Sequence, residues 1–184
     1  MNIVELEHDI KKELRASMNG ILSARMREAG MPFKLIFGVE LPRLQSIADE
    51  FPKDKDLANQ LWSENIRETK LLAIMLMPPE EFTFEVANEW KESMVTPEEA
   101  QILAMKLLSK VNHAKEISLA WLEEGNALQT TCACLCLRHL LMQGVRLNEE
   151  EQVFAYCKRL LPEASLHLKK AIQALMEAFE AVKN

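Results

Sequence analysis

Three cysteines spaced two residues apart, Cys132, Cys134 and Cys136, form the densest group of chemically reactive side chains in the sequence. Zinc needs four converging ligands, which commonly come from pairs of cysteines at turns. The surrounding residues have the pattern of a helix, where side chains two residues apart point about 200° away from each other. Cys134 therefore faces away from the other two. We expect the three cysteines to pack in the core, and we expect no metal and no cofactor.

The other common catalytic patterns are missing from the sequence. The four histidines are scattered and show no spacing by which one helix presents two zinc ligands. There is no glycine-rich phosphate loop of the GxGxxG or GxxxxGK[ST] type, and no GxSxG nucleophile elbow. Nucleotide hydrolysis, dinucleotide chemistry and serine-hydrolase chemistry are thus disfavoured.

Basic residues recur beside the most apolar segments and could bind the phosphates of a nucleic acid if they share one face. The candidates are Arg67, Lys70, Lys106, Lys110, Arg138, Lys169 and Lys170. Acidic residues are interleaved with them, so the alternative is that these are ordinary solvated side chains with stems over apolar neighbours. Trp90 lies among charged residues and could stack on a base, although core packing is the favoured interpretation.

Composition and hydropathy limit the class of protein. The chain has 184 residues, a net charge of −6, 48% apolar residues and 27% charged residues, as in ordinary globular proteins. The longest apolar run, Leu71–Met77, has seven residues, whereas a membrane-spanning helix needs about 18. The N-terminus has no secretory-signal pattern. We expect one domain over residues 1–184, a cytoplasmic location and no membrane partner.

Apolar residues recur every three or four positions along nearly the whole chain, which predicts about eleven helices and no strand. The apolar helices near Asn65–Met77, Pro97–Leu108, Asn126–Leu141 and Ser165–Phe179 begin about 30 to 40 residues apart. A shorter amphipathic helix precedes each. This period favours an all-α fold, a HEAT-like or armadillo-like α-solenoid of antiparallel helix pairs. A generic helix bundle is the alternative.

Three parts of the sequence carry a family pattern. They are Arg25–Phe33 with Phe37-Gly38-Val39 and Leu41-Pro42-Arg43-Leu44, then Leu61-Trp62 with Arg67-Glu68, and finally Lys170-Ala171-Ile172. Together they resemble the AlkD-type DNA alkylation repair family, the HEAT-like repeat DNA glycosylases, from about residue 20 to the end. The resemblance implies an α-solenoid whose basic concave face holds duplex DNA. It also implies excision of cationic N-alkylpurines, with a carboxylate and aromatic faces stabilising positive charge.

The positions that the resemblance marks as functional are changed in this sequence. Pro97 stands where the family has an aromatic residue, and Gln101 stands where it has an aspartate. Thr130 replaces an arginine, and Ala174 replaces a tryptophan. A neutral amide cannot supply the negative charge of a carboxylate. The sequence therefore favours a non-catalytic, nucleic-acid-binding member of the family.

Two other functions remain open from the sequence. Glu98 or Glu99 could take the place of the carboxylate, which would make the protein an active alkylpurine DNA glycosylase. Both also read as first-turn acids that favour a helix N-terminus. Alternatively, the solenoid could be a protein–protein interaction scaffold, because extended repeat surfaces bind peptides and proteins and the ten methionines suit varied partners.

Overall fold

The computed structural model describes residues 2–123 and 126–183. Within these ranges the protein is all-α, with eleven α-helices and no β-strand beyond an isolated bridge between Leu35 and Ile66. The predicted fold class and the predicted number of helices are confirmed. In chain order the helices are α1 (Ile3–Ala16), α2 (Gly20–Glu28), α3 (Leu41–Asp49), α4 (Lys55–Trp62), α5 (Arg67–Leu76), α6 (Phe84–Glu92), α7 (Pro97–Lys106), α8 (Ala114–Glu123), α9 (Ala127–Met142), α10 (Glu150–Leu160) and α11 (Leu166–Lys183).

The start of α7 follows directly from its sequence. The Thr96 hydroxyl accepts a hydrogen bond from the Glu99 backbone N–H at 3.2 Å, and the Glu99 carboxylate accepts one from the Thr96 N–H at 2.8 Å. This reciprocal pair is a capping box, which satisfies two N–H groups that the helix leaves open. Pro97 occupies the first turn, where its missing N–H costs nothing. The predicted helix start is confirmed.

The spacing of apolar residues predicts one helix over Glu80–Glu92, and the structure divides this segment. A 3₁₀ turn covers Pro79–Glu81, and α6 begins only at Phe84. The physical reason is a local cap, because the Thr83 hydroxyl accepts a hydrogen bond from the Val86 N–H at 3.4 Å. Hydroxyl side chains at this position favour a fresh helix start over continuation of the previous turn.

Two further helix starts lie later than predicted. Asn112 is of a type that favours the N-cap, which predicts that it caps α8, but it lies in a turn in which the Ala114 N–H donates to the Val111 carbonyl at 3.1 Å. Proline favours the first turn of a helix, so Pro162 predicts the start of the apolar helix near Ser165–Phe179, but α11 begins at Leu166. In both places a turn comes before the helix, so the first polar or proline residue of the segment does not mark the helix start.

The chain divides into two compact units, Met1–Phe82 and Thr83–Asn184, which are described separately. In the first unit, α5 packs against α3 and α4, and α4 packs against α1. In the second unit, α9 packs against α7, α8 and α11, and α10 packs against α11. The helices α5, α7, α9 and α11 begin 30, 30 and 39 residues apart, which confirms the predicted period. A single domain over residues 1–184 stays a prediction.

Helix α9 is surrounded by other helices, which explains why its apolar residues show no single face. Cys132, Cys134 and Cys136 are all completely buried, so their predicted place in the core is confirmed. Burial raises the pKa of Cys136 to about 12, because a thiolate loses its hydration there. The thiol is therefore protonated at neutral pH. Trp90 is also buried, as its favoured interpretation predicted.

Gly38 marks the closest approach of two segments in the first unit. Its φ is +76°, and a Cβ there would lie 2.4 Å from the Asn19 carbonyl oxygen and 2.6 Å from the Ser23 nitrogen. Both neighbours are backbone atoms and cannot rotate away. Gly30 has a similar φ of +82°, but no atom lies within 4 Å of the place that its Cβ would take. The two glycines share a conformation and differ in the space around them.

We expect Gly38→Ala to lower the free energy of unfolding more than Gly30→Ala does. Gly30→Ala should cost about 1 kcal/mol, the strain of an L-residue at positive φ. Gly38→Ala should cost a further ~1–3 kcal/mol, because the backbone of α2 must move. Urea denaturation of both variants measures the difference, and equal losses would contradict the close approach.

Candidate nucleic-acid site

Arg67, the first basic residue predicted to bind phosphate, is buried in the first unit with 2% of its surface exposed. Its guanidinium donates a hydrogen bond to the Val39 carbonyl at 2.9 Å and pairs with the Glu68 carboxylate at 2.8 Å. The sequence pattern predicted an exposed side chain here. The structure differs because a buried anion and a carbonyl next to Arg67 hold the guanidinium inside the unit.

Glu68 is the centre of this arrangement and is 0% exposed. One carboxylate oxygen accepts a hydrogen bond from the Phe37 N–H at 2.9 Å. The other accepts from the Gly38 N–H at 2.9 Å and the Val39 N–H at 3.3 Å. We call Glu68, Arg67 and the backbone of residues 37–39 the Glu68 brace. Charge-assisted bonds of this kind are about twice as strong as neutral ones, so the brace fixes the segment before α3 onto α5.

Lys70, one turn further along α5, is also buried, with 5% exposure. Its ammonium lies 4.4 Å from the centre of the Trp62 ring, a cation–π contact with the last residue of α4. Lys70 therefore joins α5 to α4. The two predicted phosphate-binding residues of the first unit both take part in the internal structure of that unit.

We expect Glu68→Gln to destabilise the protein strongly. The substitution leaves the buried Arg67 guanidinium without its anion and the three amides with a weaker acceptor. Breaking a buried ion pair in this way costs about 3–5 kcal/mol. Glu80→Gln makes the same change at an exposed residue and should stay within about 0.5 kcal/mol. Urea denaturation compares them, and similar values for both variants would contradict the role given to the brace.

The basic residues of the second unit are placed differently. Lys106, Lys110, Arg138 and Lys170 are exposed, and Lys169 is partly buried. Lys106 ends α7, and Lys110 ends the 3₁₀ turn that follows it. Arg138 belongs to α9 and the other two to α11. Because α7 and α11 both pack on α9, these side chains belong to neighbouring elements of one unit.

An open cavity of about 190 Å³ lies among α7, α9 and α11 in the second unit. It is lined by Pro97, Gln101, Thr131, Leu135, His167, Lys170 and Ala171. Three of the residues singled out in the sequence, Pro97, Gln101 and Lys170, thus meet here although they are up to 73 positions apart. We call this the α7–α9–α11 cavity.

Two other positions singled out in the sequence do not line the cavity. Thr130 is 1% exposed, and its hydroxyl has no hydrogen-bond partner. Ala174 is partly buried one turn beyond Lys170 on α11. Thr131, the residue after Thr130, lines the cavity instead, together with Leu135 four residues further along α9. Side chains four residues apart share a helix face, so the predicted helix already places Leu135 beside Thr131.

No carboxylate lines the α7–α9–α11 cavity among the residues that the structure describes there. Glu99, one of the two alternative carboxylates, is 1% exposed. One of its oxygens accepts hydrogen bonds from the Val95 N–H at 2.6 Å and the Thr96 N–H at 2.8 Å, inside the capping box. Glu98 is partly buried in the same first turn. Lys170 supplies the fixed charge of the cavity, which is positive.

Comparison with known proteins identifies the family. The family model described as DNA alkylation repair enzyme matches residues 10–179. The chain belongs to the DNA alkylation repair enzyme family. This membership confirms the resemblance drawn from the sequence, and it covers the helices that form both the Glu68 brace and the α7–α9–α11 cavity.

A solved structure of another protein has a similar fold. It is described as belonging to "a new family of proteins related to the HEAT-like repeat DNA glycosylases with affinity for branched DNA structures". The similarity has a TM-score of 0.77 and 17% sequence identity, and it covers 93% of this chain and 74% of that one. The predicted HEAT-like repeat fold is confirmed. No curated protein matches the sequence.

Two further observations concern the same described residues. None of the helices between residues 2 and 183, outside the gap at 124–125, is both long and apolar enough to cross a membrane. Over those residues, no three side chains of the histidine, cysteine, aspartate or glutamate type come together in a group that could hold a metal ion. The four cysteines are buried in the core and form no disulfide bond.

Proposed function

We propose that this member of the DNA alkylation repair family binds DNA through the second unit and does not excise bases. The observation that carries the proposal is the lining of the α7–α9–α11 cavity. In the family, as the resemblance implies, a carboxylate belongs at the position of Gln101. The cavity has a neutral amide at that position, and Lys170 also lines it.

The chemistry of excision explains why this lining matters. As the glycosidic bond of a cationic purine breaks, positive charge develops on the sugar, and an anion nearby stabilises it. Gln101 supplies no charge, and Lys170 raises the energy of any additional cation in the cavity. Glu99 uses one of its oxygens to cap α7. These features support binding without catalysis.

The exposed basic residues of the second unit support DNA as the ligand. Lys106, Lys110, Arg138 and Lys170 can each neutralise a phosphate. Every phosphate neutralised changes the slope of log K against log salt by about −0.9 for duplex DNA. Since the whole chain carries a net charge of −6, attraction to DNA has to come from a local basic surface. The structural relative is described as having affinity for branched DNA, which makes a branched substrate the first to test.

We expect salt-sensitive binding of a four-way DNA junction, measured by fluorescence anisotropy next to a linear duplex of the same sequence. Lys106→Glu with Lys110→Glu should weaken junction binding at least tenfold, because two phosphate contacts become repulsive. The matched control, Lys12→Glu with Lys53→Glu, makes the same change of net charge at exposed lysines of the first unit. It should leave the affinity within about twofold.

Two results would count against the proposal in different ways. Equal affinities for both double variants would overturn the choice of Lys106 and Lys110 as phosphate contacts. Failure of the unaltered protein to bind either DNA at low salt would overturn DNA binding as the function. The interaction-scaffold hypothesis, with a protein as the partner, would then take its place.

A further inference from the structure

We infer that the α7–α9–α11 cavity is a phosphate site, which receives a phosphate group of the DNA and not a base. This inference rests on the proposed function, which names DNA as the ligand but leaves open what enters the cavity. It assigns an anionic ligand to the place where the resemblance implies a carboxylate that stabilises a cation.

The size of the cavity suits a small group. Its volume is about 190 Å³. Pockets that enclose drug-sized ligands have volumes of ~300–1,000 Å³. A phosphate with part of its hydration shell fits the smaller space. A complete nucleotide, with base, sugar and phosphate, would extend out of the cavity into solvent.

The polar groups of the cavity include three hydrogen-bond donors. Lys170 provides an ammonium, Gln101 provides an amide NH₂, and His167 provides a ring N–H. Lys170 and His167 are three residues apart on α11 and therefore share a face of that helix. The hydroxyl of Thr131 donates to the Ala127 carbonyl at 2.7 Å, so its proton is not available to a ligand. Three donors with one fixed positive charge match the oxygens of a phosphate.

The remaining lining residues strengthen this preference. Pro97, Leu135 and Ala171 form an apolar wall, which lowers the effective dielectric constant and makes the charge of Lys170 act more strongly on an anion. The nearby acid Glu99 is buried in its capping box and is not part of the lining. A cationic base would meet Lys170 with no carboxylate of the lining to offset it.

The first experiment uses inorganic phosphate alone. In a ¹H–¹⁵N NMR titration at constant ionic strength, with chloride as the reference anion, phosphate should shift the side-chain amide signals of Gln101 in a saturable way. Lys170→Gln should weaken this binding at least fivefold. Lys12→Gln removes an exposed lysine of the first unit and should leave the binding unchanged.

The second experiment uses the four-way junction. Lys170→Gln should reduce the salt slope by about 0.9, the value for one lost phosphate contact. Gln101→Glu places an anion in the cavity without removing a lysine, and it should weaken junction binding at least fivefold. Gln173→Glu adds the same charge to an exposed position of α11 outside the cavity and should change the affinity less than twofold. Junctions with 5′-phosphate and 5′-hydroxyl ends distinguish a terminal phosphate from an internal one.

The outcomes separate this inference from the proposed function. If the junction binds and both Lys170→Gln and Gln101→Glu match the unaltered protein in affinity and salt slope, the phosphate site is overturned and DNA binding stands. If the junction does not bind but phosphate shifts Gln101 saturably, the site stands and DNA as the ligand fails. If the junction does not bind and the phosphate shifts are also absent, both are overturned.

Discussion

Glu68 carries a completely buried carboxylate. The local structure of the first unit depends on the hydrogen bonds and the ion pair that compensate for its lost hydration. Three backbone amides and one guanidinium surround its two oxygens. A buried charge without such partners would shift the balance towards unfolding by several kcal/mol. With them, the same charge fixes residues 37–39 against α5. With residues 37–39 held in this place, Gly38 lies close to the backbone at the start of α2, where a side chain has no room.

The helices and their period could be predicted from the sequence because they depend on local rules. The spacing of apolar residues marks each helix, and the Thr96–Glu99 capping box can be read from four consecutive residues. The cysteines of α9 were predicted to be buried because their spacing on a helix excludes a shared metal ion. The helix starts at Phe84 and Ala114 were missed, since a turn and a continuing helix have similar sequences over three or four residues.

The candidate site could be predicted only in part, because charge in a sequence does not reveal the partner of a side chain. Arg67 and Lys106 look alike as basic residues of apolar helices, yet one is buried against a neighbouring acid and the other is exposed. The three amides that hold Glu68 lie 29 to 31 positions earlier, beyond the reach of local patterns. Pro97, Gln101 and Lys170 could be named from the resemblance. The place of His167 and Thr131 in the lining could not be predicted, because it depends on how α7, α9 and α11 pack together.

We propose that this family member keeps the fold and a basic surface, and that Gln101 stands where the resemblance implies the carboxylate that excision requires. The most direct test incubates the protein with DNA that carries N-methylated purines, under the conditions in which it binds DNA, and measures the released bases by chromatography. We predict release no faster than in DNA without protein, because Gln101 supplies no anion. Release above that rate, lost in Glu98→Gln, would contradict the account and make the protein a working glycosylase.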